Sequence, residues 1–344
     1  MAVRVGINGF GRIGRQVTKI INDACADFID IVAINSLRSP SVLAHLLKYD
    51  STYGTYNRTI DYTDKEIVLN NKYIKIISGS DPSIIPWELT GAEIVIEATG
   101  KFKTARQCIG HLEHGVQKVI ITAPGKDVDI SIVPGVNQGD YDPFKHHIIS
   151  CASCTTNCLA PIAMVLQNNF GIKRGFVSTV HAYTTSQSLL DEKHNDLRRA
   201  RGALQNIIPS TTGASKAIGE IIPALKGRLD GNALRIPLPT VSLLDLTVEL
   251  EKADVPAQEI NAAFKQASHT SLKGILDVCE EQLVSSDFKG SSFSAVVDAS
   301  ATVNCAGLVK IVAWYDNEWG YSCRIADLLS YVARNMPLLS PSQV

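Results

Sequence analysis

The sequence predicts an α/β protein of two domains, a parallel sheet wound with crossover helices followed by a mixed α+β domain. Three observations lead there. Short apolar runs alternate with helical patterns as far as Ser150, the rhythm of βαβ units. Beyond that point the β-rich runs lengthen, with helical patterns between them. The chain has 344 residues, and single cores stop growing before about 300.

The elements follow in order. Val3–Asn8 reads as the first strand and residues 12–24 as the helix after it; Ile29–Asn35, Ala92–Ala98 and Lys118–Thr122 are further strands. Ile148–Ser150 is a strand that leads into a helix from Cys154 to about Asn169. Long β-rich runs then cover Gly175–Tyr183, Leu234–Leu250 and Leu308–Tyr315. Ser322–Asn335 reads as one amphipathic helix able to pack back on the first domain. The expected domains are 1–153, completed by 321–344, and 154–320. A short polar tail, SPSQV, closes the chain.

Composition excludes several classes of function. With 45% hydrophobic and 19% charged residues and a net charge of -1, no global basic field recruits nucleic acid or an anionic membrane. No apolar run approaches the roughly 20 residues that cross a bilayer. The start, MAVRVGING, enters a strand pattern without a leader, and eight cysteines are too sparse for a disulfide scaffold. Reduced thiols and a cytoplasmic location are expected.

Gly9-Phe10-Gly11-Arg12-Ile13-Gly14 fits G-x-G-x-x-G between a strand and a helix. The first glycine permits a tight turn, the second lets a pyrophosphate approach the backbone, and the third lets helix and strand pack closely. The helix start adds unpaired amides and a positive dipole end. The first domain is therefore expected to be Rossmann-like and to bind a dinucleotide. Such sites usually carry an acidic residue at the end of the second strand, gripping the adenosine ribose. Here Asn35 is followed by Ser36, with Arg38 two residues on. A missing carboxylate removes the repulsion against a 2′-phosphate, so both NADP and NAD are admissible.

In SCASCTTNCLAP, three cysteines fall within eight positions. Cys151-x-x-Cys154 has zinc-ligand spacing, yet no second ligand pair is near, and no metal site is expected. A redox pair lacks a thioredoxin-like context. A single nucleophile fits best. Cys154 opens a helix whose dipole favours thiolate, while Cys158, one turn on, reads as a small packing residue. A thiolate needs a base or a counter-charge, and His181 ends a stiff apolar strand. A core histidine satisfied by its neighbours explains that position equally well.

SCTTNCLAP, TVHAYT, DLRRARGALQNIIPSTTGASKAIG, LRIPLPTVSLLDLTVEL, LVSSDF and WYDNEWGYS, together with VGINGFGRIGR, resemble phosphorylating glyceraldehyde-3-phosphate dehydrogenases along essentially the whole chain. The resemblance implies Cys154 as nucleophile and His181 as its base. It implies oxidation of glyceraldehyde 3-phosphate with NAD or NADP through a thiohemiacetal and a thioester, which inorganic phosphate cleaves. Thr184 and Arg235 would hold the substrate phosphate. Ser153, Thr155, Thr212 and Gly213 would hold the attacking one, with Arg199 near both. The cofactor would meet Gly9 to Gly14, Asn35, Ser36, Thr99, Thr122 and Asn317, the last at the nicotinamide amide. A homotetramer is implied, with loop Thr184–Asn206 crossing a subunit interface.

The chain departs from the NAD-type pattern at the adenosine end. Ser36 replaces Asp, Glu192-Lys193 replaces Leu-Pro, and Ser80 stands where Arg is common. The first two resemble NADP-using members, and Lys193 adds positive charge. Ser80 and Glu192 point the other way. The rival readings are erythrose-4-phosphate dehydrogenase, a close relative, and a Cys–His thiol hydrolase.

Overall fold

The computed structural model describes residues 2–337. The end of the expected C-terminal segment and the SPSQV tail, residues 338–344, lie outside them. Two compact units emerge. The first runs from the N-terminus to Ile132, takes in Gln138–Ala152 and regains the chain at Ser322; the second holds Val133–Asn137 and Ser153–Tyr321.

The first unit is built on a nine-stranded sheet. From one edge the strands are Ile130–Ser131, Ile148–Ser150, Lys118–Ile121, Ile94–Glu97, Val3–Asn8, Ile29–Asn35, Lys72–Ile77, Glu66–Leu69 and Ile60–Tyr62. The first seven pair in parallel, and the strand order reverses at Val3–Asn8. Its central strands read VRVGIN, IDIVAIN, IVIE and KVII, and they are buried because helices cover parallel sheets on both faces. Register aligns the ends: Asn8 lies opposite both Asn35 and Glu97. At such a reversal, beyond the carboxyl ends of the strands, open α/β sheets bind their ligands.

The two antiparallel strands Ile60–Tyr62 and Glu66–Leu69 form no part of the βαβ rhythm read from the sequence. Glu66–Leu69 joins Lys72–Ile77 through a tight hairpin at Asn70 and Asn71, both left-handed at φ 50° and 65°, which asparagine tolerates better than most residues.

The second unit carries an eight-stranded mixed sheet. Its continuous path is Ile208–Thr211, Leu229–Ile236, Ile172–Ala182, Ser242–Leu250, Leu308–Tyr315, Ala295–Asp298 and Leu276–Cys279, and Val303–Cys305 pairs with Leu308–Tyr315. The helix Cys154–Phe170 packs against it. The run expected over Leu234–Leu250 is two strands. Pro237 and Pro239 lack the N–H a ladder needs, and Val241 turns left-handed at φ 65°. The closing helix begins at Trp319, earlier than the pattern suggests, because the Asp316 carboxylate accepts from the Glu318 and Trp319 amides at 3.0 and 2.9 Å. No described helix is long and apolar enough to cross a membrane.

Candidate active site

The glycine turn has a defined shape. Gly9 sits at φ 94°, and a Cβ there would lie 2.8 Å from the Thr99 backbone nitrogen. A Cβ on Gly14 would lie 2.3 Å from the Gly9 carbonyl oxygen. Neither position admits a side chain. At Gly11 an added Cβ meets no heavy atom within 4 Å, so the middle glycine opens onto free space. Gly11 is also the N-cap of Arg12–Ala24, and no side chain caps that helix. An open backbone face at a helix N-terminus is what a pyrophosphate requires, and the residues fit a dinucleotide. Phe10 is buried, Ile13 half-buried, and Arg12 is held by Asp50 at 2.7 Å.

Asn35, Ser36, Thr99 and Thr122 lie at the carboxyl ends of strands of the same sheet. Asn35 is buried, and its amide exchanges two bonds with the Gly79 backbone. Ser36 is half-buried, Arg38 and Ser80 are exposed, and the Arg38 N–H donates to the Ser36 hydroxyl at 3.3 Å. Thr99 and Thr122 both bond to Glu97, Thr99 at its carboxylate and Thr122 at its carbonyl.

In the second unit, Ser153 caps the helix Cys154–Phe170, its hydroxyl accepting from the Thr156 amide at 3.0 Å. Just before it, Ala152 is left-handed at φ 53°, a costly conformation for a residue with a Cβ. Cys154 is the first helical residue and is partly exposed. His181 lies on Ile172–Ala182, buried on the same face as Val177 and Thr179. Its Nε2 is 3.4 Å from the Cys154 Sγ. Parallel pairing sets Arg235 opposite His181, and the Arg235 Nη1 reaches the His181 Nδ1 at 2.7 Å. Both also contact the Ala182 carbonyl, Nδ1 at 2.6 Å and Nη1 at 3.1 Å. Arg199 donates to Ser210 on the next strand at 2.7 Å. Sequence positions far apart thus bring Cys154, His181, Arg235 and Arg199 into one cluster.

The remaining phosphate candidates are less tightly gathered. Thr155 is buried, with its hydroxyl 3.0 Å from that of Tyr315. Thr184 pairs with Ser186, and the Thr212 hydroxyl accepts from the Ala214 amide beside Gly213, the N-cap of Ala214–Ile221. Asn317 is buried, and its carbonyl accepts from Ser242 at 3.0 Å, which leaves the amide NH2 to donate.

Burial pushes the His181 imidazole down to about 3, helped by the positive charges of Arg235 and Arg199. Burial also raises the Cys154 thiol; Arg235 and hydrogen bonds from the first helical turn oppose it. The amides of the first helical turn favour the thiolate, and burial works against them. A thiolate and an imidazolium 3.4 Å apart attract by about 5 kcal/mol at an effective dielectric constant of about 20. That attraction acts only once the proton has crossed. Burial lifts the neighbouring cysteines too, Cys151 to about 12 and Cys158 well above the usual thiol range. Among the described residues, no group of His, Cys, Asp or Glu could hold a metal ion.

Sequence reasoning missed four residues that organise these clusters. The buried Tyr315 hydroxyl bridges Thr155 and Thr179, at 3.0 and 2.7 Å. Ser242 joins Asn317 to the amide after His181, donating to one and accepting from Ala182 at 3.1 Å. Asn8 and Glu97 join the strand ends of the first unit. Only Glu97 carried a signal, a carboxylate ending an otherwise apolar strand.

Comparison with known proteins identifies the family. Residues 3–105 match the profile of the glyceraldehyde 3-phosphate dehydrogenase NAD binding domain, and residues 153–317 match that of the C-terminal domain. The chain is 52% identical to the glyceraldehyde-3-phosphate dehydrogenase of Geobacillus stearothermophilus over 334 residues, 97% of this chain and 99% of that one. It is 50% identical to glyceraldehyde-3-phosphate dehydrogenase 2 of Bacillus subtilis (strain 168), with 98% of each chain covered. The Streptomyces coelicolor enzyme of that name is 51% identical over 338 residues, 98% of this chain and 100% of its own. The chain belongs to the glyceraldehyde-3-phosphate dehydrogenase family.

Proposed function

We propose that this NAD(P)-dependent oxidoreductase converts glyceraldehyde 3-phosphate and inorganic phosphate to 1,3-bisphosphoglycerate, reversibly, with Cys154 as nucleophile and His181 as base. The observation that carries the assignment of roles is the 3.4 Å approach of Sγ and Nε2, flanked by the Arg235 guanidinium. The Cys154 sulfur attacks the aldehyde carbon, and its proton passes by way of the His181 Nε2 to the carbonyl oxygen, giving a thiohemiacetal and leaving His181 neutral. When bound, the dinucleotide supplies the acceptor for the hydride that leaves that carbon. The thiohemiacetal hydroxyl gives up its proton to His181 as the hydride departs, which leaves a thioester on Cys154. A phosphate oxygen then attacks the thioester carbon, the C–S bond breaks, and the sulfur leaves as thiolate.

Arg235 has a second use. One Nδ1 cannot both donate to the Ala182 carbonyl and accept from Arg235. With the proton on Nδ1, the Nε2 lone pair faces Cys154, the form a base needs. A substrate phosphate that engages Arg235 removes the competing donor and offsets the charge that depresses His181. Thr184 and Arg199 complete that pocket in this reading, and Ser153, Thr155, Thr212 and Gly213 receive the attacking phosphate. Asn317 holds the nicotinamide amide. A thiol hydrolase would have no use for the glycine cradle.

NADP is accepted as well as NAD: Ser36 places no carboxylate at the ribose, and Arg38 is exposed two residues on. The subunits associate as a homotetramer. Support comes from the loop between Ala182 and Ile208, whose Leu189, Leu190, Leu197 and Ile207 are 62 to 82% exposed. The compartment is the cytosol, where Cys154 stays reduced. Initial rates with glyceraldehyde 3-phosphate and phosphate, run in parallel with NAD and NADP, test the reading. Turnover with both is expected, and turnover with neither would overturn the substrate.

A further inference from the structure

We infer that Glu97 is a positioning residue for the cofactor, the centre of a buried hydrogen-bonded rail that ties the adenosine and nicotinamide ends of the site together. The inference rests on the dinucleotide reading above.

Glu97 ends the strand Ile94–Glu97 and is 1% exposed. Four donors converge on its two oxygens. The Thr99 amide, at 2.8 Å, and the Thr99 hydroxyl reach Oε1; Asn8 Nδ2, at 2.5 Å, and His111 Nε2, at 3.3 Å, reach Oε2. The tautomer of His111 is fixed from behind. The Trp87 indole N–H can only donate, and it donates to the His111 Nδ1 at 2.9 Å, so the ring proton sits on Nε2 and points at Glu97. Only a carboxylate accepts all four; a glutamine would turn an NH2 toward two donors.

The rail continues sideways. The Asn8 Oδ1 accepts from Asn35 Nδ2 at 2.7 Å, and the Asn35 amide in turn grips Gly79 through its N–H and its carbonyl, at 2.7 and 2.8 Å. Asn8, Asn35 and Glu97 are register partners, so the contacts run straight across three strand ends. Asn35 precedes Ser36 on the half of the sheet that serves the adenosine. Thr99 follows the first strand of the other half, which serves the nicotinamide. Between them lies Gly9, with no room for a Cβ against Thr99. Loss of the carboxylate frees the Thr99 loop while leaving the glycine turn and the Asn35 strand end in place.

The test compares two ligands on the full chain by titration calorimetry. ADP-ribose reports the adenosine and pyrophosphate end alone, and NAD reports both ends. Glu97→Gln is expected to bind NAD at least ten-fold more weakly while ADP-ribose changes less than three-fold. Thr99→Val, which removes one donor and leaves the Asn8–Asn35 contact in place, is the milder companion if Glu97→Gln does not fold, with a three-fold loss for NAD expected and ADP-ribose held. Equal losses for the two ligands, or none, overturn the inference and make the network a brace of the fold. Failure of the unchanged chain to bind NAD would instead sink the dinucleotide reading.

Discussion

At the scale of single residues, the pair Cys154 and His181 carries the sharpest consequences. Cys154→Ser should lower kcat by about a thousand-fold or more with cofactor binding kept, and His181→Asn by about a hundred- to ten-thousand-fold, both read from initial rates. His181 also shapes stability. Its folded value, near 3, lies below the ordinary 6.5, so the unfolded chain binds the extra proton first as pH falls. Its contribution is whole above about 6.5 and is lost as pH drops toward 3. Urea melts across that range should show falling stability, and His181→Asn should flatten the slope; an unchanged slope would mean other groups govern it. Cys154 and His181 were legible because each sits in a distinctive local run, and the resemblance supplied their roles. Tyr315 and Ser242 were not. Their partners lie 160 and 75 residues away, and only the pairing of sheet strands brings them together.

Among the elements, the phosphate turn separates two kinds of glycine. Gly14→Ala puts a methyl 2.3 Å from a carbonyl oxygen, so about 1–3 kcal/mol of stability should go, together with cofactor binding. Gly11→Ala meets nothing in the protein. It should melt within about 1 kcal/mol of the unchanged chain yet bind NAD about ten-fold more weakly, because the methyl fills the phosphate's approach. Similar melting with full binding would remove the pyrophosphate from this turn. The parallel strands and crossover helix were legible because their apolar runs are unbroken and their punctuation is plain. The hairpin at Asn70-Asn71 was harder. EIVL and KYIKII are short, and KYIKII carries charge on an edge-like pattern that reads as loop. In Leu234–Leu250 the prolines were visible, but apolar content outweighed them.

For the whole molecule, cofactor choice and assembly are the open consequences of the proposals. Ser36→Asp should cut kcat/KM for NADP at least about ten-fold through charge repulsion and leave NAD within about two-fold. Equal effects on both cofactors would place the 2′-phosphate elsewhere. Leu197→Asp, at 82% exposure, should lower the sedimentation mass of a tetramer while the isolated chain stays folded; an unchanged mass would locate the interface on other surfaces. The loop that carries Leu197 is cross-tied, Asp191 holding Arg201 at 2.7 Å and the Gly202 amide at 2.9 Å. Arg198 and Arg201 stand exposed within it, and each offers a peptide bond to trypsin. A cross-tied loop resists cleavage until it opens, and a loop buried between subunits resists until they part. If the proposed tetramer buries this loop between subunits, tryptic nicking at these arginines would time subunit dissociation and run faster on dilution.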